Sequence, residues 1–323
     1  MMPTMQLSER GMALHPQAEA FLQWMAREHV PPIPTLSPEE ARSWDAKVAR
    51  LLTKSSEWTG RTENIRVPGP GGDITVRIYI PIQKTSQLLL YFHGGGWVVG
   101  NLDQFEYTCR LLATKTCRTV ISVDYRLAPE YKFPAAVEDC YAVTKWVAEN
   151  ADGLGGEAER LAVCGDSAGG NLAAAVSLMA ADRRGPYIAN QVLIYPVVDL
   201  SDKNYRDYPD ELSPALTKSD MNWFINHYTS RNDDLQDQYA SPIMREECAG
   251  LPRAFFVTAE YDILTRQCNA YANRLREAGV QVNCAHYAGF IHGFFTLPDV
   301  FDAAHDAVNR IADELYINES RET

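Results

Sequence analysis

From residue 80 onward the chain repeats one unit, a short apolar run rich in β-branched and aromatic residues and then, in most cases, a segment long enough for a helix. The β-rich runs are 88–92, 120–123, 161–164, 192–195, 254–259 and 280–287. Strands that are apolar on both faces and joined through helices line up in parallel, with helices covering both sides of the sheet. The rhythm therefore predicts an α/β fold with a mostly parallel twisted sheet flanked by helices. Ahead of it, two further β-rich runs, 64–67 and 74–79, are separated by the turn sequence Gly69-Pro70-Gly71-Gly72. The sheet is expected to open with an antiparallel hairpin.

Two stretches fall outside this rhythm. In the first 55 residues, apolar positions recur at helical spacing over 17–29 and 38–52, joined by Pro31-Pro32-Ile33-Pro34. Ser37-Pro38-Glu39-Glu40 supplies a cap residue, a first-turn proline and early acids for the second helix. Residues 199–248, rich in Asp, Asn and Tyr and holding a helix-like run at 219–228, are too long for a simple connection. The expected organisation is a helical cap segment, 1–55, and a main domain, 56–323, with a second cap insertion around 200–248 over the carboxyl edge of the sheet.

Composition excludes several classes of function. Against 42 Asp+Glu stand 30 Lys+Arg, a net charge of −12, which is the wrong sign for a phosphate backbone; no nucleic-acid partner is expected. A 46% hydrophobic, 22% charged chain can bury a core. Its longest apolar stretch, 172–181, is broken by Ser177 and is far too short to cross a bilayer. Glu9 and Arg10 stand where a secretory signal would carry its apolar stretch, so a cytoplasmic protein is expected. The seven cysteines are scattered with no CxxC spacing, which points to buried thiols, without a disulfide framework or a zinc site.

The chemistry centres on Gly165-Asp166-Ser167-Ala168-Gly169, which follows the run 161–164 and precedes the Ala-rich stretch 171–181. That strand, turn and helix context is what G-x-S-x-G requires: the glycines let strand and helix approach closely, and Ser167 is exposed at the helix N-terminus. The pentapeptide alone is common by chance. A serine hydroxyl also needs a base and an orienting acid, and both follow in order. Asp262 lies just beyond 254–259, and His292 lies in Gly289-Phe290-Ile291-His292-Gly293-Phe294 beyond the last strand. Ser, Asp, His along the chain is the α/β-hydrolase order. His15, His29, His227, His286 and His305 sit in the cap, the insertion, a strand or the final helix, where packing or surface roles fit better. His93-Gly94-Gly95-Gly96 directly follows 88–92, where the oxyanion loop of this fold belongs. Gly94, Gly95 and Ala168 are the expected N–H donors. A phosphate loop is disfavoured, since Asn101-Leu102 stands where Lys-Ser or Lys-Thr is needed.

Four segments together resemble the hormone-sensitive-lipase-like carboxylesterases, bacterial esterase family IV. They are His93-Gly94-Gly95-Gly96-Trp97, Asp124-Tyr125-Arg126-Leu127-Ala128-Pro129-Glu130 with Phe133-Pro134-Ala135-Ala136, Gly165-Asp166-Ser167-Ala168-Gly169-Gly170, and Ile291-His292-Gly293-Phe294. The resemblance covers residues 93–294 and, through the Asp-Ser-Ala elbow, the larger of two subgroups. It implies a cap over the site and hydrolysis of small esters with short to medium acyl chains through a Ser-His-Asp triad and an acyl-enzyme. It implies neither metal nor organic cofactor. Dimers through the sheet edge occur in the family, and the run 280–287 is the candidate edge here. One segment departs from the pattern. The family continues its acid as Asp-Pro-Leu with a further acid two residues on, whereas Asp262 is followed by Ile263-Leu264-Thr265-Arg266. Glu260 is the rival acid.

Trp97, beside the oxyanion loop, and Trp223 and Phe224, in the insertion, are candidate substrate-binding aromatics, and Phe21, Leu22 and Met25 are candidates to close the pocket from above. Arg126 and Glu130 are expected to organise their loop through ion pairs. The same machinery serves lactones, carbamates and activated amides. A different class, a small-molecule receptor, is reached in this family by losing a triad member, and all three members are present here.

Overall fold

The computed structural model describes residues 13–53, 58–201 and 208–317. Glu9 and Arg10 lie outside the described residues, as do parts of the two expected cap segments.

Eight strands form one sheet: β1 (Arg61–Gly69), β2 (Gly72–Ile80), β3 (Leu88–Phe92), β4 (Thr119–Val123), β5 (Leu161–Asp166), β6 (Asn190–Ile194), β7 (Arg253–Tyr261) and β8 (Val282–Ile291). Their order is β1-β2-β4-β3-β5-β6-β7-β8. The hairpin forms as expected, with Gly69 paired to Gly72 across Pro70-Gly71. β2 runs antiparallel to both its neighbours, and the pairings from β4 to β8 are all parallel.

Alternation along each strand builds two cores. Leu88, Leu90 and Phe92 of β3 face one side, against α4 (Ala135–Glu149), α5 (Ala168–Asp182) and α7 (Thr265–Glu277). Leu89 and Tyr91 face the other, against α3 (Glu106–Thr116) and α8 (Asp302–Ile317). α5 is buried on every face from Ala168 to Ala180, and its alanines let it lie against the sheet. β8 differs from expectation: it begins two residues later than 280 and extends to Ile291, because pairing with β7 resumes past a bulge at Ala259/Tyr261 and joins Tyr261 to Ile291. His292 thus hangs directly from a strand end.

The N-terminal segment is helical as read, with α1 (Pro16–Arg27) and α2 (Pro38–Leu52). A capping box starts α2: Ser37 Oγ accepts from the Glu40 N–H at 3.3 Å, and Glu40 Oε2 accepts from the Ser37 N–H at 2.8 Å. The helix expected within the insertion is α6 (Lys218–Tyr228).

Candidate active site

β3, β5, β7 and β8 all end on the same edge of the sheet, and each delivers one part of the site. In a parallel sheet that edge is where ligands bind, beside the point at which the strand order reverses, here at β4-β3-β5.

Ser167 sits between the end of β5 and the start of α5 with φ 54° and ψ −118°. A serine in that region costs on the order of 1–3 kcal/mol, borne by the surrounding structure. The Ser167 N–H donates to the Ile194 carbonyl at 2.8 Å, and its carbonyl accepts from the Asn171 N–H at 3.0 Å. Gly165 and Gly169 are glycines because space forbids anything else. A Cβ on Gly165 would run into the Gly169 carbonyl, and one on Gly169 into the Phe92 carbonyl. His292 Nε2 lies 3.0 Å from Ser167 Oγ, and His292 Nδ1 lies 2.8 Å from Asp262 Oδ2. The Asp262 carboxylate is fully buried, and its other oxygen accepts from the Leu264 N–H at 2.9 Å. The structure therefore brings all three sequence-predicted residues into one relay.

Glu260, the rival acid, faces elsewhere: its carboxylate accepts from the Gly289 N–H at 2.7 Å. The departure from Asp-Pro-Leu has a local answer. Ile263, unlike proline, carries an N–H, and this group donates to the buried Ser213 Oγ at 3.0 Å. Ser213 in turn donates to the Leu216 carbonyl at 2.6 Å, so the insertion itself holds the acid loop. Arg266 places its guanidinium 5.0 Å from the Tyr208 ring.

The oxyanion loop needs one correction. Gly94, an expected donor, has its N–H committed to Asp166 Oδ1 at 3.0 Å, beside the Tyr91 hydroxyl on the same oxygen at 2.5 Å. Asp166 is buried, and that burial raises its carboxyl to about 6 against these two donors. Gly95 and Gly96, both with positive φ, spend their N–H groups on no described acceptor. Ala168 is the first residue of α5, where an N–H has no intrahelical partner. His93, pushed down to about 4 by burial, is neutral and donates from Nδ1 to the Gly94 carbonyl at 2.7 Å.

A cavity of about 590 Å³ opens above His292, Gly293 and Thr296. Phe224 lines it, as do Phe21, Leu22 and Met25. Two expected aromatics do not. Trp97 is fully buried and stacks on Tyr228, ring centroids 4.1 Å apart, because its positive φ turns the indole into the core. Trp223 donates its indole N–H to the Leu36 carbonyl at 3.2 Å and ties the two cap segments together. Missed from the sequence were Trp44 and Val48 of α2 and Leu216 of the insertion. The i, i+4 spacing of Trp44 and Val48 marked a helix face, without revealing that the face covers a cavity. Arg126 and Glu130 do form ion pairs, with Asp139 and Arg42 respectively.

A mostly parallel sheet, a serine on a strained strand-to-helix turn, and an imidazole and carboxylate from later strand ends define an α/β hydrolase. A family model described as the alpha/beta hydrolase fold matches residues 89–296. An arylesterase of Saccharolobus solfataricus is 37% identical over 292 residues, 89% of this chain and 94% of that one. An ethyl acetate hydrolase of Pseudomonas putida is 33% identical over 314 residues, 94% of this chain and 99% of that one. Among solved structures, a hyperthermophilic esterase from the archaeon Pyrobaculum calidifontis matches with a TM-score of 0.89 at 39% identity, covering 94% of this chain and 98% of that one. The chain belongs to this alpha/beta hydrolase family, within the hormone-sensitive-lipase-like carboxylesterases that its motifs resemble.

Proposed function

We propose that the protein hydrolyses small carboxylic esters with short to medium acyl chains through a covalent acyl-enzyme. The reading is carried by the relay from Ser167 Oγ to His292 Nε2 at 3.0 Å and from His292 Nδ1 to Asp262 at 2.8 Å, with His292 facing the cavity. As Ser167 Oγ attacks the ester carbonyl carbon, its proton passes to His292 Nε2, and Asp262 stabilises the imidazolium. Gly95, Gly96 and Ala168 donate to the oxyanion; this replaces the expected set of Gly94, Gly95 and Ala168. Collapse of the tetrahedral intermediate expels the alcohol, which takes the proton from His292. Water then repeats the cycle, releasing the acid and restoring Ser167.

The cavity volume lies within the range of small-molecule sites, and its walls are chiefly apolar, from α1, α2, the connection between them and Phe224 of α6, in keeping with an apolar acyl chain. The division into a cap, from 1–55 and around 200–248, and a domain, 56–323, is supported by the cavity-lining residues that the described parts of the two cap segments contribute. Cytoplasmic residence and a homodimer through β8 belong to the same proposal. All seven cysteines are unpaired, no described helix is long and apolar enough to cross a membrane, and β8 is an edge strand. The test is hydrolysis of p-nitrophenyl esters from acetate to palmitate by wild type and Ser167→Ala. Turnover confined to the shorter chains and abolished in the variant is expected; turnover retained in Ser167→Ala refutes the mechanism.

A further inference from the structure

The cap and the oxyanion loop are joined by two side chains of α2 set one turn apart. Arg42 Nε donates to the Val98 carbonyl at 2.8 Å, and its Nη2 donates to the Ala128 carbonyl at 2.8 Å. The same guanidinium holds the Glu130 carboxylate with both terminal nitrogens, at 2.8 and 2.6 Å. Asp45 accepts from Gln104 Nε2 at 2.7 Å and from the Gly100 N–H. Val98 and Gly100 are the far limb of the loop that carries Gly95 and Gly96. That limb folds back on its origin, because the Gly95 carbonyl accepts from the N–H groups of Val98 and Val99 at 3.0 and 2.9 Å. The Ala128 N–H meanwhile donates to the Trp97 carbonyl at 2.8 Å, so Arg42 grips both the loop and the strip of chain that braces it.

We propose that Arg42, with Asp45 beside it, is a positioning residue for the oxyanion hole: seating α2 on the domain sets the aim of the Gly95 and Gly96 N–H groups. This rests on the ester-hydrolase reading. Neither side chain touches the reacting atoms. A planar guanidinium with its Nε and both terminal nitrogens engaged fixes direction as well as distance, which an ammonium cannot do. The cap therefore acts on turnover as well as on substrate binding, because a cap lifted from the domain strips the far limb of the loop of its Arg42 and Asp45 contacts.

The experiment compares wild type, Arg42→Ala, Arg42→Lys and Glu130→Gln on p-nitrophenyl butyrate, and measures inhibition by an alkyl trifluoromethyl ketone. That ketone adds Ser167 Oγ at its carbonyl carbon, and the resulting hemiketal oxyanion occupies the hole. For Arg42→Ala, kcat is expected to fall about 10- to 100-fold, less than or comparable to loss of one direct donor, with KM within about threefold and the inhibition constant raised by a matching factor. Arg42→Lys should lie between, methylguanidinium should restore part of the Arg42→Ala loss, and Glu130→Gln should lose less than about threefold, since the grip on Val98 remains. A rise in KM with kcat unchanged, an unchanged inhibition constant, or an equal loss in Glu130→Gln would overturn the proposal. Should Arg42→Ala fail to fold, Arg42→Lys and Glu130→Gln carry the same comparison. Absence of ester turnover in the wild type refutes the ester-hydrolase reading instead, and is seen before any variant is compared.

Discussion

Replacing Asp262 by asparagine tests the relay most sharply, because the surroundings dictate which way the new amide points. One carboxylate oxygen accepts from the Leu264 N–H at 2.9 Å and the other faces His292 Nδ1 at 2.8 Å. An asparagine must keep its carbonyl toward Leu264, since an NH2 there would meet another donor. Its NH2 then faces Nδ1, which has to become an acceptor, and the imidazole proton moves to Nε2. That nitrogen lies 3.0 Å from Ser167 Oγ and no longer offers a lone pair to take the serine proton. The same swap in a Ser-His-Asp triad costs about 10,000-fold in kcat, or about 5 kcal/mol of barrier. Asp262→Asn is therefore expected to lose about that factor on p-nitrophenyl butyrate, with KM little changed and a thermal transition close to wild type, because no buried group is left unpaired. Steady-state kinetics with calorimetry on the same samples checks both halves. A variant retaining kcat within about tenfold of wild type would refute the assignment of Asp262 as the residue that sets the imidazole tautomer.

Ser213→Ala should leave the Ile263 N–H buried without an acceptor and cost about 1–3 kcal/mol, read as a lowered urea midpoint at unchanged slope; an unchanged midpoint would show that the acid loop is held otherwise. Asp166 gives a pH dependence of definite sign: burial raises its carboxyl from an ordinary 3.8 to about 6, so the folded state binds more protons between those values and stability falls as pH rises through that window. The Asp166 contribution is worth about 3 kcal/mol in all and is read as the difference between wild type and Asp166→Asn, since Asp45 and His93 titrate across the same window in both; parallel urea titrations of the two proteins at pH 4 and pH 7 check it, and an equal change in the two would refute it.

What the sequence reveals on its own divides along a physical line. The strand rhythm, the hairpin turn and the cap at Ser37 are local, set by residues within a few positions of one another, and apart from the shifted bounds of β8 each stands where the sequence places it. Ser167, Asp262 and His292 were legible because the fold requires their order and their place at strand ends. Gly94 was misassigned because its partner, Asp166, lies 72 residues away, and nothing in His-Gly-Gly-Gly says which of the three N–H groups meets it. Trp97 misled for a similar reason. Adjacency to the oxyanion loop says nothing of side-chain direction, and a positive φ sends the ring toward Tyr228 instead of the substrate. The cavity wall was least legible of all. Trp44, Phe224 and Leu297 come from three distant parts of the chain, and only the folded sheet makes them neighbours.

The separations within the relay carry a consequence for how the molecule comes into being. Ser167 and His292 are 125 residues apart, and Asp262 and His292 are 30 apart, yet all hang from strands that must first find parallel partners. Such pairings close long loops before any contact rewards them, so they form late, after local helices and the β1–β2 hairpin. A nascent chain released before β8 has no imidazole to offer Ser167. Nucleophile and base are thus separated by 125 residues of chain, and esterase activity reports that β8 has docked on the sheet.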